Sequence, residues 1–163
     1  MKKPLLALIL TSVLSINAQD VRTTLGVFFD PNATRIDGFN VGVNLEYQRT
    51  VMYNKLTVFY FPNLRGKDYL ELSATIMGFN HHLGYFKTHR LNVGFKCGLI
   101  IRETSGAPHP MLGAEGGYQW YLTKNLYLGV IGSYEYRVDN KVWDASAEPY
   151  WRLNGYATIG FTL

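Results

Sequence analysis

At 163 residues, with a formal net charge of +4 and a hydrophobic fraction of 47%, the chain has the size of one domain and is too weakly basic to point to nucleic acid as a partner. Its single cysteine, Cys97, excludes an internal disulfide framework. Twelve tyrosines and 16 glycines against six prolines suit many strands joined by tight turns.

The chain opens on Met1-Lys2-Lys3, an apolar stretch from Leu5 to Leu10 with Val13-Leu14, and the junction Asn17-Ala18-Gln19. A positive start, a short apolar core and a small residue before the cut predict a signal peptide over 1–18. The apolar stretch is about half the roughly 20 residues that a spanning helix needs, which disfavours an uncleaved anchor. Lys2 and Lys3 would leave with the signal, so the mature chain, 19–163, would carry only about +2. Export leads to a compartment where small soluble domains often depend on disulfides. Stability must then come from another source, such as a closed sheet in lipid, where every backbone group is paired.

Two-residue alternation runs through nearly all of 19–163, with no apolar stripe at helical spacing. Strands are expected at 21–29, 39–49, 55–61, 68–86, 91–103, 110–122, 126–138 and 149–163, an even count of about eight. The 39–49 segment is the clearest, since Phe39, Val41, Val43, Leu45 and Tyr47 alternate with Asn40, Gly42, Asn44, Glu46 and Gln48. Along 68–86, Leu70, Leu72, Ala74 and Ile76 share a face, but after Gly78 the apolar positions move to Phe79, Leu83 and Tyr85, which predicts a β-bulge near Gly78. Connections around 50–54, 87–90 and 123–125 are tight and are assigned to the periplasm. Those around 30–38, 62–67, 104–109 and 139–147 are longer and are assigned to the outside.

The two faces of these strands differ in kind. The polar face collects Arg22, Asn44, Glu46, Gln48, Glu71, Asn92, Lys96, Arg102, Glu115, Gln119, Glu135, Arg137, Arg152 and Asn154. Its charges are nearly balanced, as a narrow lumen requires, because an unpaired buried charge costs several kcal/mol. The other face reads Leu25, Val27, Val41, Val43, Leu45, Val58, Leu72, Val93, Leu99, Leu112, Leu128, Val130, Leu153 and Ile159, without a charge. Aromatic residues on that face gather near the strand ends: Phe29, Phe39, Tyr60, Tyr134, Tyr136 and Trp151 at one, Tyr47, Tyr118, Trp120 and Phe161 at the other. Rings prefer the headgroup level, so this reads as a double girdle. A water-soluble lipocalin-like barrel would reverse the faces, and a soluble sandwich would not sort its rings by depth.

On this strand pattern, and on the final strand from Trp151 to Leu163, the chain resembles the small outer-membrane β-barrel superfamily, the class of the OmpA transmembrane domain and OmpX. The Asn17-Ala18-Gln19 junction resembles signals common in Bacteroidota. The resemblance implies an all-β closed antiparallel barrel in the bacterial outer membrane, exported through Sec. It also implies a last strand read by the barrel-assembly machinery; here Phe161 stands two residues before the terminal Leu163.

Sites for chemistry are sparse. Certain barrels of this class modify lipid A, one through a His-x-Ser-Asn element, which is missing here. His109 and Ser105 share an expected outer loop, but Pro108 and Pro110 flank the histidine and no carboxylate is placed to orient it. His81 and His82 are adjacent in a strand and point to opposite faces, which does not make a metal site. Cys97 falls on the lipid face as a small apolar side chain. Asn32-Ala33-Thr34 matches a glycosylation sequon that a bacterial outer membrane would not use.

The expectation is therefore a monomeric barrel whose partner is outer-membrane lipid. It needs no catalytic residue, metal or cofactor, and its lumen is plugged by Arg22, Glu46, Glu71, Lys96, Arg102, Glu115, Glu135, Arg137 and Arg152. Its role would be structural or surface interaction. A lipid A-modifying enzyme and a narrow channel are the alternatives.

Overall fold

The computed structural model describes residues 21–29, 41–64, 67–84, 87–102, 107–142, 145–146 and 148–163. Within them lie eight strands: β1 (Val21–Phe29), β2 (Val41–Arg49), β3 (Met52–Leu64), β4 (Lys67–Leu83), β5 (His89–Arg102), β6 (His109–Tyr121), β7 (Leu126–Arg137) and β8 (Tyr150–Thr162). Each pairs antiparallel with the next, and β8 returns to β1, so the sheet is a closed barrel. Closure runs from Thr24 opposite Thr162 to Phe29 opposite Ala157, and the Leu163 N–H donates to the Thr23 carbonyl at 2.8 Å. No strand edge is left open by this arrangement.

The expected strands match the observed ones closely except at β3, which starts at Met52 and leaves only 50–51 of the connection expected at 50–54, and which also ends later than expected. The connection expected at 62–67 spans only residues 65–66, because β3 continues through Pro62 and pairs Leu64 with Lys67. A proline cannot donate to the ladder, and the register shift between Phe61 and Leu64 accommodates it. The expected signal peptide, the sequon at Asn32 and Phe39 lie outside the described residues.

The bulge sits at Met77, one residue before the expected position. Ile76 opposes Phe95 and Phe79 opposes Val93, so β4 takes three steps where β5 takes two. Met77 is the extra residue and adopts a left-handed backbone (φ 51°). Its consequence is a change of phase. Tyr69, Glu71, Ser73 and Thr75 face the lumen before it, and Gly78, Asn80 and His82 after it. The lack of a side chain at Gly78 is needed, since a Cβ there would meet the Tyr53 ring at 2.3 Å.

The outer wall is apolar. Every residue of the expected apolar face is exposed except Val41, which is half-buried. The wall also carries Phe79, Phe95 and Leu56. Of the expected girdle, Phe29, Tyr60, Tyr134 and Trp151 are exposed and Tyr136 is half-buried at the long-loop end; at the short-turn end Tyr118, Trp120 and Phe161 are exposed and Tyr47 is half-buried. Tyr134 stacks on Trp151 with ring centroids 4.9 Å apart, and the Tyr60 hydroxyl donates to Asp68 at 3.1 Å.

Candidate functional site: the charged lumen

An eight-stranded barrel has an interior just wide enough for side chains to fill it. Here, among the described residues, five carboxylates (Glu46, Glu71, Glu115, Glu135, Asp139) and five cations (Lys55, Arg90, Lys96, Arg102, Arg137) are buried inside the barrel. This equality lets each buried charge find a partner of opposite sign.

The pairs form tiers along the axis. Toward the short-turn end, Arg90 pairs with Glu46, donates to Asn80, and donates to the Gln119 side chain at 3.0 Å. Its guanidinium also lies 5.3 Å from the centre of the Tyr53 ring, a cation–π distance. In the middle tier Lys55 pairs with Glu115, to which the Thr75 hydroxyl also donates. Lys96 lies 2.7 Å from both Glu71 and Glu135, so one ammonium bridges two carboxylates that approach from β4 and β7. Each carboxylate has further donors: Tyr69 and Ser73 on Glu71, Ser133 and Asn154 on Glu135.

The long-loop end is closed differently. After β7 the chain turns into a short 3₁₀ segment, Asp139–Val142, which sets the buried Asp139 carboxylate between Arg102 (2.8 Å) and Arg137 (2.9 Å). Both guanidiniums lie against Tyr69, at 4.5 and 5.4 Å from its ring centre. Burial alone would raise the Asp139 pKa, but Arg137 and then Arg102 outweigh it and hold the carboxyl below its ordinary range.

The lumen is not wholly polar. Phe28, Phe59, Phe61, Ile100, Met111, Ile131 and Tyr156 form a buried apolar cluster with Tyr69. Phe28 stacks on Phe59 at 5.3 Å, and Tyr156 meets both edge-on. Room for the Phe28 ring comes from Gly42, where a Cβ would lie 2.2 Å from it.

Seven of the nine expected lumen charges, Glu46, Glu71, Lys96, Arg102, Glu115, Glu135 and Arg137, are buried in these tiers. Two are not. Arg22 faces inward but is exposed at the short-turn mouth, and Arg152 is half-buried with no ion pair among the described residues. Sequence reasoning missed Lys55, Arg90 and Asp139. Lys55 is the first residue of the expected strand 55–61, where alternation from Thr57 places it inward; Arg90 precedes the expected start at 91, and alternation from Asn92 reaches it only because β5 begins at His89. Asp139 lies beyond the strand, where alternation says nothing.

Ser105 lies outside the described residues. His109 begins β6, half-buried and opposite Ile100. The bulge turns His82 inward, whereas His81 is exposed; among the described residues no cluster of His, Cys, Asp or Glu suits a metal ion. Cys97 is half-buried on the outer wall opposite Ala74.

A closed antiparallel barrel is also the fold of solved bacterial proteins. Two solved barrels share it: the N-terminal β-barrel domain of Pseudomonas aeruginosa OprF (TM-score 0.55, 14% identity, covering 87% of this chain and 97% of that one), and Neisserial surface protein A, NspA (TM-score 0.54, 11% identity, covering 88% and 96%). At such identity the likeness is one of fold. No family model and no curated protein matches the sequence.

Proposed function

We propose that the chain is an integral outer-membrane protein whose plugged barrel anchors its outer loops for a structural or surface-interaction role. The observation that carries this reading is the sorting of side chains across one wall. Large apolar residues such as Leu56, Val93, Val130 and Leu153 cover the outside, while inside, among the described residues, five buried carboxylates and five buried cations pair with one another. In water this would be an inverted protein; in a bilayer it is the stable arrangement. The barrel-assembly machinery would insert it through β8, and lipid would be its principal partner. The reading assigns no catalysis to the chain.

A narrow gated channel is the second reading, favoured by one specific feature. Lys96 sits equally far from Glu71 and Glu135, so partner exchange would need only a small motion. Planar-bilayer recording of the refolded protein tests both. The plugged barrel shows no steady conductance; brief small openings abolished by Lys96→Met would support the channel, and stable openings of porin size would defeat the plug.

A further inference from the structure

At the short-turn mouth a cavity of about 350 Å³ opens between the start of β1, the β2–β3 turn, the end of β4 and the β4–β5 turn; Arg22, Gln48, Asn80, His82 and Lys87 line it. That volume lies at the lower end of small-molecule sites. No carboxylate is among its described lining residues, although every buried cation of the lumen is paired with one. Arg22 and Lys87 are exposed and make no ion pair with any described residue.

Two hydrogen-bond donors in this wall also lack acceptors, and their identity follows from their neighbours. Arg90 can only donate, so the Asn80 amide must turn its oxygen toward the guanidinium, as observed at 2.7 Å. The Asn80 NH₂ is thereby directed elsewhere, and it has no partner among the described residues, although Asn80 is only 5% exposed. Gln48 donates through Nε2 to the Thr50 carbonyl at 3.1 Å, which fixes its amide orientation; the same nitrogen lies 3.3 Å from His82 Nε2. His82 Nε2 is therefore the acceptor, and its ring proton sits on Nδ1. Nδ1 is buried and unpartnered as well. A buried donor without an acceptor costs free energy unless something supplies one.

From two uncompensated cations and two orphan N–H donors around one cavity, we infer that the short-turn mouth of the barrel is a binding site for the doubly charged phosphate group of a small molecule or of a monoester lipid headgroup. A phosphate monoester carries close to two negative charges and three acceptor oxygens, which matches the two cations and leaves acceptors for Asn80 and His82. A carboxylate offers one charge and two oxygens. The inference needs only the folded barrel and goes beyond the anchoring role proposed above.

The test is a titration of isotope-labelled, folded protein in dodecyl maltoside, reading the Asn80 side-chain amide and the His82 ring by NMR. Inorganic phosphate and glycerol 3-phosphate should each give saturable shifts, with acetate and chloride much weaker. Nanodiscs of phosphatidylcholine with phosphatidic acid, whose headgroup is a phosphate monoester, compared with phosphatidylcholine alone, whose phosphate is a diester beside its own cation, form the lipid arm. Shifts there without added phosphate would identify a lipid headgroup as the source, and shifts with soluble phosphates alone would identify a soluble one. The double variant Arg22→Gln, Lys87→Gln, checked as folded by its gel shift, should weaken phosphate binding about tenfold or more. The inference is overturned if no phosphate source gives a saturable shift, if acetate binds as well as phosphate, or if the double variant binds unchanged.

Discussion

Val43 and Asn44 are neighbours in β2, and they face opposite sides of the barrel wall. Val43 stands 45% exposed on the outer wall, whereas Asn44 is 4% exposed inside. The same contrast repeats around the barrel, with an outer face whose middle carries apolar bulk and an inner face that carries charge in ion pairs. The two faces therefore depend on different physics. The outer one relies on where the apolar area lies, and each residue acts nearly alone. The inner one relies on mutual satisfaction, so the loss of one member exposes the others.

The largest expected effect comes from breaking that mutual satisfaction. Lys96→Met removes the ammonium that Glu71 and Glu135 share, leaving two buried carboxylates facing each other. Removing one partner of a buried pair costs about 3–5 kcal/mol. Urea unfolding in lipid vesicles, followed by the gel shift between folded and boiled protein, measures it. A cost below about 1 kcal/mol, the range of exposed pairs, would mean that water reaches the lumen freely.

Val43→Arg tests the other face. At mid-strand it should cost about 2–4 kcal/mol in a bilayer, the range for Arg near the midplane. Val43→Met, with similar polarity, should stay below about 1.5 kcal/mol. A neutral Val43→Arg would put water, not lipid, against this wall.

The long-loop mouth tests whether a loop residue can belong to the lumen. Asp139→Asn keeps the shape but loses the charge held by Arg102 and Arg137, and should cost about 1.5–3 kcal/mol at neutral pH. The pH dependence has a definite sign. Because the folded pKa of Asp139 is depressed, its contribution is present above the ordinary carboxylate value of 3.8 and disappears as the pH falls through the lower folded value. The difference between wild type and Asp139→Asn should therefore be full at pH 6 and shrink on acidification below about pH 4. A difference that stayed constant into acid would show that the charge of Asp139 contributes nothing.

These residues also show how far alternation carries. A period of two placed Glu46, Glu71, Lys96, Glu115 and Glu135 inward and Val43, Val93 and Val130 outward, because a strand offers each side chain only two directions. It also revealed the bulge, since a phase change in the apolar positions has no other simple cause. Alternation could not tell how far β3 runs, because Pro62 breaks the pattern while the chain still pairs beyond it. Nor could it show the Phe28–Phe59–Tyr156 stack. An inward aromatic fits a charged lumen only where an opposing glycine such as Gly42 makes room, and that pairing is set by register between strands. Asp139 and the mouth cavity depend on turns and strand ends meeting in space, about which a one-dimensional period carries no information.

The smallest expected effect sharpens the comparison at its starting point. Asn44→Ser keeps a polar group on the inner wall of β2 and removes volume from a crowded place: a Cβ on Gly26 would lie 2.8 Å from Asn44 Oδ1 and 2.8 Å from the Tyr127 hydroxyl. The serine hydroxyl can donate or accept, so it can satisfy either kind of neighbour. The cost should be that of one rearranged hydrogen bond, about 1 kcal/mol, well under that of Lys96→Met and Val43→Arg. Asn44→Leu supplies the contrast within the same site, because a branched apolar side chain removes the polar group and overpacks the space beside Gly26; it should cost about 1–3 kcal/mol. The same urea titrations rank all of these variants. If Asn44→Leu were milder than Asn44→Ser, the inner wall at this level would behave as an apolar core, and the division between the two faces of β2 would have to be redrawn.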